Sequence, residues 1–159
     1  MLGKLNSVEI DEAISHQVVG RIGCHADGKT YVVPVSYAYD GQYIYVHTQE
    51  GLKVDIMRKN PKVCFQIDMF HDMSNWQSVI AWGEFEELTE RKERENALKK
   101  LIERELPLTS SETTHLTPYW PFVSSDLHAI EGVTFRIKLG DKTGRFEKAV
   151  LASAFNTYH

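Results

Sequence analysis

Cysteine is scarce in this chain, and its two thiols form no motif. Cys24 and Cys64 are far apart, and each lies in an apolar, strand-like run. Zinc and redox motifs place two cysteines only a few residues apart, so no local pattern supports either function. A disulfide between the two would have no local motif behind it. We expect two reduced, buried thiols, which fits a cytoplasmic protein.

Strong net charge and long apolar runs are also missing. The 18 basic and 22 acidic residues give a net charge of −4, without the basic field of a nucleic-acid-binding or membrane-binding surface. No apolar run approaches the roughly 20 residues of a membrane-spanning helix, and the first residues lack the apolar segment of a signal peptide. The histidines show no metal-binding spacing, and no GxSxG or phosphate-loop glycine pattern occurs. We therefore expect no metal, nucleic-acid or membrane partner.

What the chain does contain is a series of β-branched and aromatic segments separated by turn residues. Asp27-Gly28 and Asp40-Gly41 are pairs typical of β-hairpin turns. The alternation of side chains predicts six strands, the fifth with a bulge or bend at Gly83. We expect residues 140–148 to form a turn and a short extension. The predicted strands are 18–24, 30–39, 42–47, 63–69, 77–88 and 129–139.

Three helical segments interrupt these strands. Asn6 or Ser7 can cap a helix over residues 8–16, and Thr89 can cap one over residues 90–106. A short helix over residues 51–58 ends before Pro61. Short antiparallel strands joined by tight turns are typical of a barrel or a sandwich. The sequence thus predicts a single domain over residues 1–159 that is mainly β with α, an α+β fold.

The junction between the third strand and the second helix carries groups suited to an anion. The strand ends at His47-Thr48, and Gly51 and Lys53 lie at the start of the helix. A helix N-terminus offers N–H donors and a partial positive charge, to which Thr48 adds a hydroxyl and Lys53 a formal charge. Together these groups can form a phosphate seat.

Ordinary structural roles also explain the same residues. Thr48 can be only a cap, Gly51 only a turn residue and Lys53 only a solvated side chain. Glu50 argues against a phosphate seat, because a nearby carboxylate repels phosphate unless it points away. Pro34, inside a strong strand, marks a sheet edge or a place where the backbone faces something other than a strand.

Several segments keep a distinctive order along the chain. They are Val19–Gly23, Tyr31–Tyr37, Tyr43–Thr48, Gly51–Lys53, Asn60–Val63, Ser78–Phe85 and Thr143–Arg145. In order and spacing they resemble the FMN-binding split-barrel proteins of the pyridoxamine 5′-phosphate oxidase-like family, above all its nitroimidazole-resistance branch. The resemblance covers residues 8–148, and no single motif is specific. The last segment departs from the family's Thr-Gly-Lys, because arginine replaces the lysine.

That resemblance implies a six-stranded antiparallel split β-barrel with flanking helices that binds FMN. Residues 34–37 would offer main-chain groups to the isoalloxazine ring. Residues 47–48 would lie near the phosphate or ribityl chain, and Lys53 would pair with the phosphate. Residues 78–79 would flank the ring or the phosphate. The implied cofactor-binding residues are Pro34, Val35, Ser36, Tyr37, His47, Thr48, Gly51, Lys53, Ser78 and Val79.

The family holds its cofactor at a dimer interface, so the resemblance also implies a homodimer whose partner subunit contributes to the site. Independently, short strands around a small core leave edges and aromatic faces that a symmetric interface commonly covers. The expected activity is electron or hydride transfer to or from a small molecule, with nitro-group reduction as one candidate. No catalytic residue is identified. The alternatives are a non-catalytic flavin-binding or storage module and a cofactor-free dimeric barrel.

Overall fold

The helices and strands follow the alternation of apolar and polar residues along the chain. In the computed structural model, which describes residues 1–104 and 126–150, the α-helices are α1 Ser7–His16, α2 Leu52–Lys59 and α3 Arg91–Glu103. A 3₁₀ turn at Leu127–Ala129 precedes the last strand. The strands of this part of the chain are β1 Leu2–Lys4, β2 Val19–Ala26, β3 Lys29–Ser36, β4 Ala38–Tyr39, β5 Tyr43–Thr48, β6 Lys62–Asp72, β7 Asn75–Glu87 and β8 Val133–Glu147.

The strands form one antiparallel sheet that bends back on itself. Their order is β3-β2-β6-β7-β8-β5-β4, with β1 beside β8. β3 and β4 are separated in the chain only by Tyr37, yet they lie at opposite ends of this order. The sheet must therefore curl until its ends meet, which makes a barrel with an opening between β3 and β5. We call this opening the barrel split. The predicted α+β split barrel with flanking helices is confirmed.

Three regions differ from the six predicted strands. The last strand begins at Val133 and not at residue 129, because the 3₁₀ turn and Gly132, whose φ is 99°, precede it. The expected strand 30–39 is divided at Tyr37, whose side chain is 1% exposed and whose hydroxyl donates to the carbonyl oxygen of Ile14 at 2.6 Å. The expected turn at 140–148 is instead part of β8, which pairs there with the unpredicted β1. Gly144 permits this packing, because a Cβ on it would lie 2.8 Å from the Leu5 side chain.

The barrel interior holds the main apolar core. Ile22, Phe65 and Phe135 are fully buried there, and the rings of Tyr37 and Phe65 meet edge to face with centroids 4.9 Å apart. A second cluster, which includes Tyr45 and Leu98, packs α3 against the outside of β5. Burial of these side chains is the main force that closes the sheet.

The helix starts follow local capping chemistry. The Asn6 side chain accepts a hydrogen bond from the Glu9 N–H at 2.9 Å, and the Glu9 carboxylate accepts one from the Asn6 N–H at 3.3 Å. This capping box confirms one of the two predicted caps of α1. α3 is capped by Glu90, not by the predicted Thr89, and ends at Glu103. The last two positions of the predicted helix, 105 and 106, lie outside the described residues.

The predicted turn and bulge are also present. Asp27 and Gly28 have φ angles of 52° and 76°, as the first hairpin turn requires. The register of β7 against β8 shifts between Ala81 and Gly83, which confirms the bulge. A Cβ on Gly83 would lie 2.3 Å from the carbonyl oxygen of Lys138, so the close approach of the two strands requires glycine.

The cysteines are both free, and Cys24 is buried as predicted, whereas Cys64 is only half-buried. Within residues 1–104 and 126–150, no group of three acidic, histidine or cysteine side chains is placed to hold a metal ion. None of the helices described is both long and apolar enough to cross a membrane.

Candidate functional site

Along β3, every second peptide group faces the barrel split, and the others face β2. The Tyr37 N–H donates to the carbonyl oxygen of Val18 at 2.9 Å, and the β2–β3 register is regular as far as the turn. Because an antiparallel ladder alternates, Val35 and Tyr37 turn their peptide groups to β2, whereas Pro34 and Ser36 turn theirs to the split. Pro34 lacks an N–H, so it stands where no ladder bond is lost.

His47 lies on the facing edge. The Asp40 N–H donates to the Tyr43 carbonyl at 3.3 Å, so the odd-numbered residues of β5 turn their peptide groups toward β4. The β4–β5 ladder stops at Tyr45. His47 is the next odd-numbered residue, and Ser36 would stand opposite it if the ladder continued. The peptide groups of Ser36 and His47 therefore border the split from its two sides.

The N-terminus of α2 follows this edge after a short connection. Gly51 is the N-cap residue, and no side chain caps the helix, so Thr48 is not its cap. Nothing lies within 4 Å of the position that a Cβ on Gly51 would take. Lys53, in the first turn, is half-buried and makes no hydrogen bond or ion pair with the residues described. An uncapped helix start beside an unpaired lysine suits an anion.

Arg58 partly offsets the negative charge that Glu50 would present to an anion. Its guanidinium donates to both Glu50 oxygens at 2.8 and 2.9 Å, and also to Glu87 at 2.6 and 3.0 Å. The hydrogen bond from Arg58 lowers the pKa of Glu50. The Glu50 carboxylate is thus charged but turned toward a guanidinium.

The remaining predicted residues fall into two groups. Val35, Tyr37 and Val79 have side chains buried in the core, so they build the fold and have no side-chain group at the split. Ser78 lies on the outer face of β7, which is the third strand from β3 in the sheet order. The structure does not bring residues 78 and 79 to the α2 start.

The His47 side chain has a structural partner. Its Nε2 lies 2.6 Å from the carbonyl oxygen of Glu131, which can only accept, so Nε2 carries the proton. Burial lowers the pKa of His47, the bond to Glu131 raises it, the nearby Arg94 lowers it, and the net shift is downward. The imidazole is therefore neutral near pH 7 and anchored outside the split.

A groove of about 450 Å³ adjoins the crossing between β3 and β4. The ends of α1 and α3 line it together with β4. Lys100 and Arg104 carry positive charge into it, while Asp40 and Glu103 add carboxylates. The Arg104 Nη1 donates to the Tyr37 carbonyl at 2.7 Å. This bond joins the groove to Tyr37, the residue that follows Ser36 at the split.

Sequence reasoning missed the residues that act from a distance. Arg58 and Glu131 contribute to the site through long-range contacts that no local motif announces. Gly132 offered one usable signal, because a glycine inside a predicted strand often marks a bulge or bend, and its φ is 99°.

The sequence has relatives that share part or nearly all of it. Residues 6–145 match the profile of the family described as pyridoxamine 5′-phosphate oxidase. An uncharacterized protein of Rhizobium meliloti (strain 1021) is 40% identical over 70 residues, which make up 44% of this chain and 46% of that protein. The matched part thus spans about half the length of that curated relative.

Solved structures share the architecture. A FAD-binding protein from Mesorhizobium loti superposes with a TM-score of 0.70 at 29% identity, covering 93% of this chain and 99% of that one. A Bacteroides thetaiotaomicron VPI-5482 structure named for 5-nitroimidazole antibiotic resistance gives 0.69 at 18%, covering 92% and 87%. At that identity the second likeness shows the fold alone. Because the family profile matches most of its length, the chain belongs to the pyridoxamine 5′-phosphate oxidase family.

Proposed function

We propose that this protein binds FMN in the barrel split and uses it to transfer electrons to or from a small molecule. The observation that carries the proposal is the start of α2, which follows the β5 edge of the split after a short connection. There Gly51 supplies no capping side chain, and Lys53 makes no hydrogen bond or ion pair with the residues described. The Mesorhizobium loti relative, similar over nearly its whole length, is a FAD-binding protein, which supports a flavin here.

The residues present fit a flavin mononucleotide. The α2 amides, Thr48 and Lys53 would hold one phosphate, and the peptide groups of Pro34 and Ser36 would meet the ring edge. We favour FMN over FAD because these groups provide a seat for a single phosphate. Bound flavin supplies the electron or hydride transfer.

The substrate would enter through the groove beside Tyr37. Its volume suits a small molecule, and its mixed charges can orient polar groups. Nitro-group reduction is the first reaction to assay, since the resemblance points to the nitroimidazole-resistance branch. Reduction of the bound flavin by a pyridine nucleotide would support an enzyme, and reduction by dithionite alone would support a non-catalytic flavin-binding module.

The protein is also proposed to work as a homodimer that covers the cofactor. Apolar side chains are exposed on the outer face of the sheet beside the split: Val19 by 48%, Val32 by 65%, Ile80 by 39% and Trp82 by 47%. The register aligns Trp82 with Cys64 on β6, which in turn pairs with Gly23 beside Val32. A second copy on this face would bury the patch and reach the split.

Light scattering after size exclusion tests the dimer. We expect a dimer for the wild type and a monomer for Trp82→Glu, since a buried unpaired charge disrupts an interface. Val8→Glu is the control, because Val8 is also exposed, by 63%, but lies on α1 outside the patch. A monomeric wild type would reject the dimer.

The cofactor proposal is tested by the absorbance of purified protein after FMN is added and free FMN removed. Retained bands near roughly 375 and 450 nm, with FMN identified after release, are expected. Lys53→Ala should weaken FMN binding roughly 10- to 100-fold, because it removes a charge-assisted phosphate contact.

Lys59→Ala is the matched control at the other end of α2, where Lys59 pairs with Asp27 at 2.8 Å. It should bind FMN like the wild type. A colourless protein that retains no added FMN would instead point to a cofactor-free barrel, and equal affinities for the two variants would remove Lys53 from the site.

A further inference from the structure

The end of β5 carries both parts of the proposed cofactor site, and among the described strands only β8 pairs with it there. Residue 47 borders the split, and Thr48 leads directly to α2. On one side Thr48 pairs with Val133 of β8, while the β4 ladder on the other side has already stopped at Tyr45. A strand end held by a single neighbour frays unless another contact fixes it.

Such a contact is present between His47 and the turn that leads into β8. The His47 Nε2–H donates to the carbonyl of Glu131, and the Arg94 guanidinium donates to the carbonyl of Ile130. Two successive carbonyls of the turn are thus held, one from β5 and one from α3. We call these contacts at Ile130–Gly132 the turn clasp.

Gly132 allows the clasp to close. Its φ is 99°, and a Cβ there would lie 2.6 Å from the Thr48 carbonyl oxygen and 3.1 Å from the His47 Nε2. Any other residue would push the turn off the end of β5. The neutral imidazole, with its proton on Nε2, has the one donor that this carbonyl needs.

We propose that His47 is a positioning residue: through the turn clasp it holds the end of β5, so that its peptide groups face the split and α2 starts beside the phosphate. This rests on the proposed function. In this role the imidazole does not touch the flavin, which departs from the cofactor-binding role that the family resemblance implies for His47.

Two substitutions separate positioning from packing. His47→Gln retains an N–H donor, whereas His47→Phe retains a ring of similar size without one. In fluorescence titrations we expect the Phe variant to bind FMN about 10-fold more weakly than the wild type, and the Gln variant to stay within about 3-fold. If His47→Phe does not fold, His47→Met, which also lacks a donor, takes its place.

Two further measurements test whether His47 acts through the end of β5 and the phosphate seat. Hydrogen exchange of the Val46 and Thr48 amides, which face β8, should speed up without flavin in the Phe variant and not in the Gln variant, with β2 and β6 unchanged. Combining His47→Phe with Lys53→Ala should cost less affinity than the sum of the single changes, because both act on the same phosphate seat.

Equal FMN affinity in the Phe variant and the wild type would overturn the proposal, as would a Gln variant no better than Phe. Unchanged exchange at Val46 and Thr48 would overturn it independently of flavin. A wild type that retains no FMN would instead reject the proposed function, while the exchange measurement still decides whether His47 holds the strand end.

Discussion

Arg58 sets the charge that an anion meets at the start of α2. It holds the Glu50 carboxylate through two hydrogen bonds. Arg58→Ala should weaken FMN binding roughly 3- to 10-fold, because the released carboxylate repels phosphate, and added salt should reduce the effect. Isothermal titration at two salt concentrations measures both.

A second substitution separates this charge effect from a loss of structure. Arg58→Ala combined with Glu50→Gln should bind FMN nearly as well as the wild type, since the repelling charge is gone. If the double variant binds as weakly as Arg58→Ala, the effect of Arg58 comes from its bonds to Glu87 and the position of α2.

Thr134 has a buried hydroxyl that bonds none of the residues described. It is 1% exposed, and its Oγ1 has no hydrogen-bond partner in the part of the chain that the structure describes. A buried unpaired polar group is destabilising, so Thr134→Val should raise the free energy of unfolding by about 1 kcal/mol. Urea denaturation measures it. Thr134→Ser is the control: it keeps the hydroxyl and loses the methyl group, so it should lower the stability of the protein. If Thr134→Val also lowers the stability, the hydroxyl is bonded after all.

At the scale of elements, the bulge in β7 depends on the absence of a side chain at Gly83. A Cβ on Gly83 would lie 2.3 Å from the Lys138 carbonyl oxygen and 2.8 Å from the Ile137 side chain. Gly83→Ala should lower the free energy of unfolding by about 2 kcal/mol or more, because the strands must separate to admit the methyl group. Chemical denaturation gives the value.

Gly140→Ala is the matched control on the facing strand. A Cβ there would lie 3.5 Å from the Trp82 carbonyl oxygen, which is ordinary contact. Its cost should stay well below that of Gly83→Ala. Equal costs would mean that the bulge tolerates a side chain and that β propensity alone explains both losses.

Local patterns predicted the helices and strands whose formation depends on residues within one short segment. Alternation located β2 and β5, and the Asn6 cap located α1, because these signals lie within a few residues. The break at Tyr37 was not predictable in this way, since both flanks are good strand formers and the break arises from pairing with different partners. Likewise, a turn was expected over residues 140–148, whereas β8 continues there and the small size of Gly144 admits Leu5.

The residues of the candidate site also fall into those that local sequence predicts and those that depend on distant contacts. Chain order alone placed Thr48, Gly51 and Lys53 together, because they follow one another at a strand-to-helix junction. Which residues of 34–37 face the split depended on the β2–β3 register, and the roles of Arg58 and Glu131 depended on contacts between distant segments.

At the scale of the whole molecule, Asp11 joins the first helix to the last strand. Its carboxylate accepts hydrogen bonds at 2.8 Å from Lys142 of β8 and from Tyr39. Burial raises the pKa of Asp11, but these bonds outweigh burial and hold the pKa below its usual 3.8. A depressed pKa means that Asp11 stabilises the fold above pH 3.8 or so and loses this effect as the pH falls through its folded value.

Asp11→Asn should therefore be less stable than the wild type at pH 7, by less than about 1 kcal/mol because the pair is partly exposed. The difference should shrink below about pH 4 and vanish once the pH lies well below the folded pKa. Urea denaturation at several pH values tests this, with Glu12→Gln, at the neighbouring exposed position, as control. A difference that persists in acid would show that Asp11 contributes by packing and not by charge.

The strand β8 pairs with β1, β5 and β7 at once. During synthesis, none of these three edges can be covered until residues 133–147 have left the ribosome. A nascent chain shorter than that carries exposed strand edges of the kind that join other chains. The exposure lasts from the translation of β7 to that of β8, and slow codons in that interval would lengthen it.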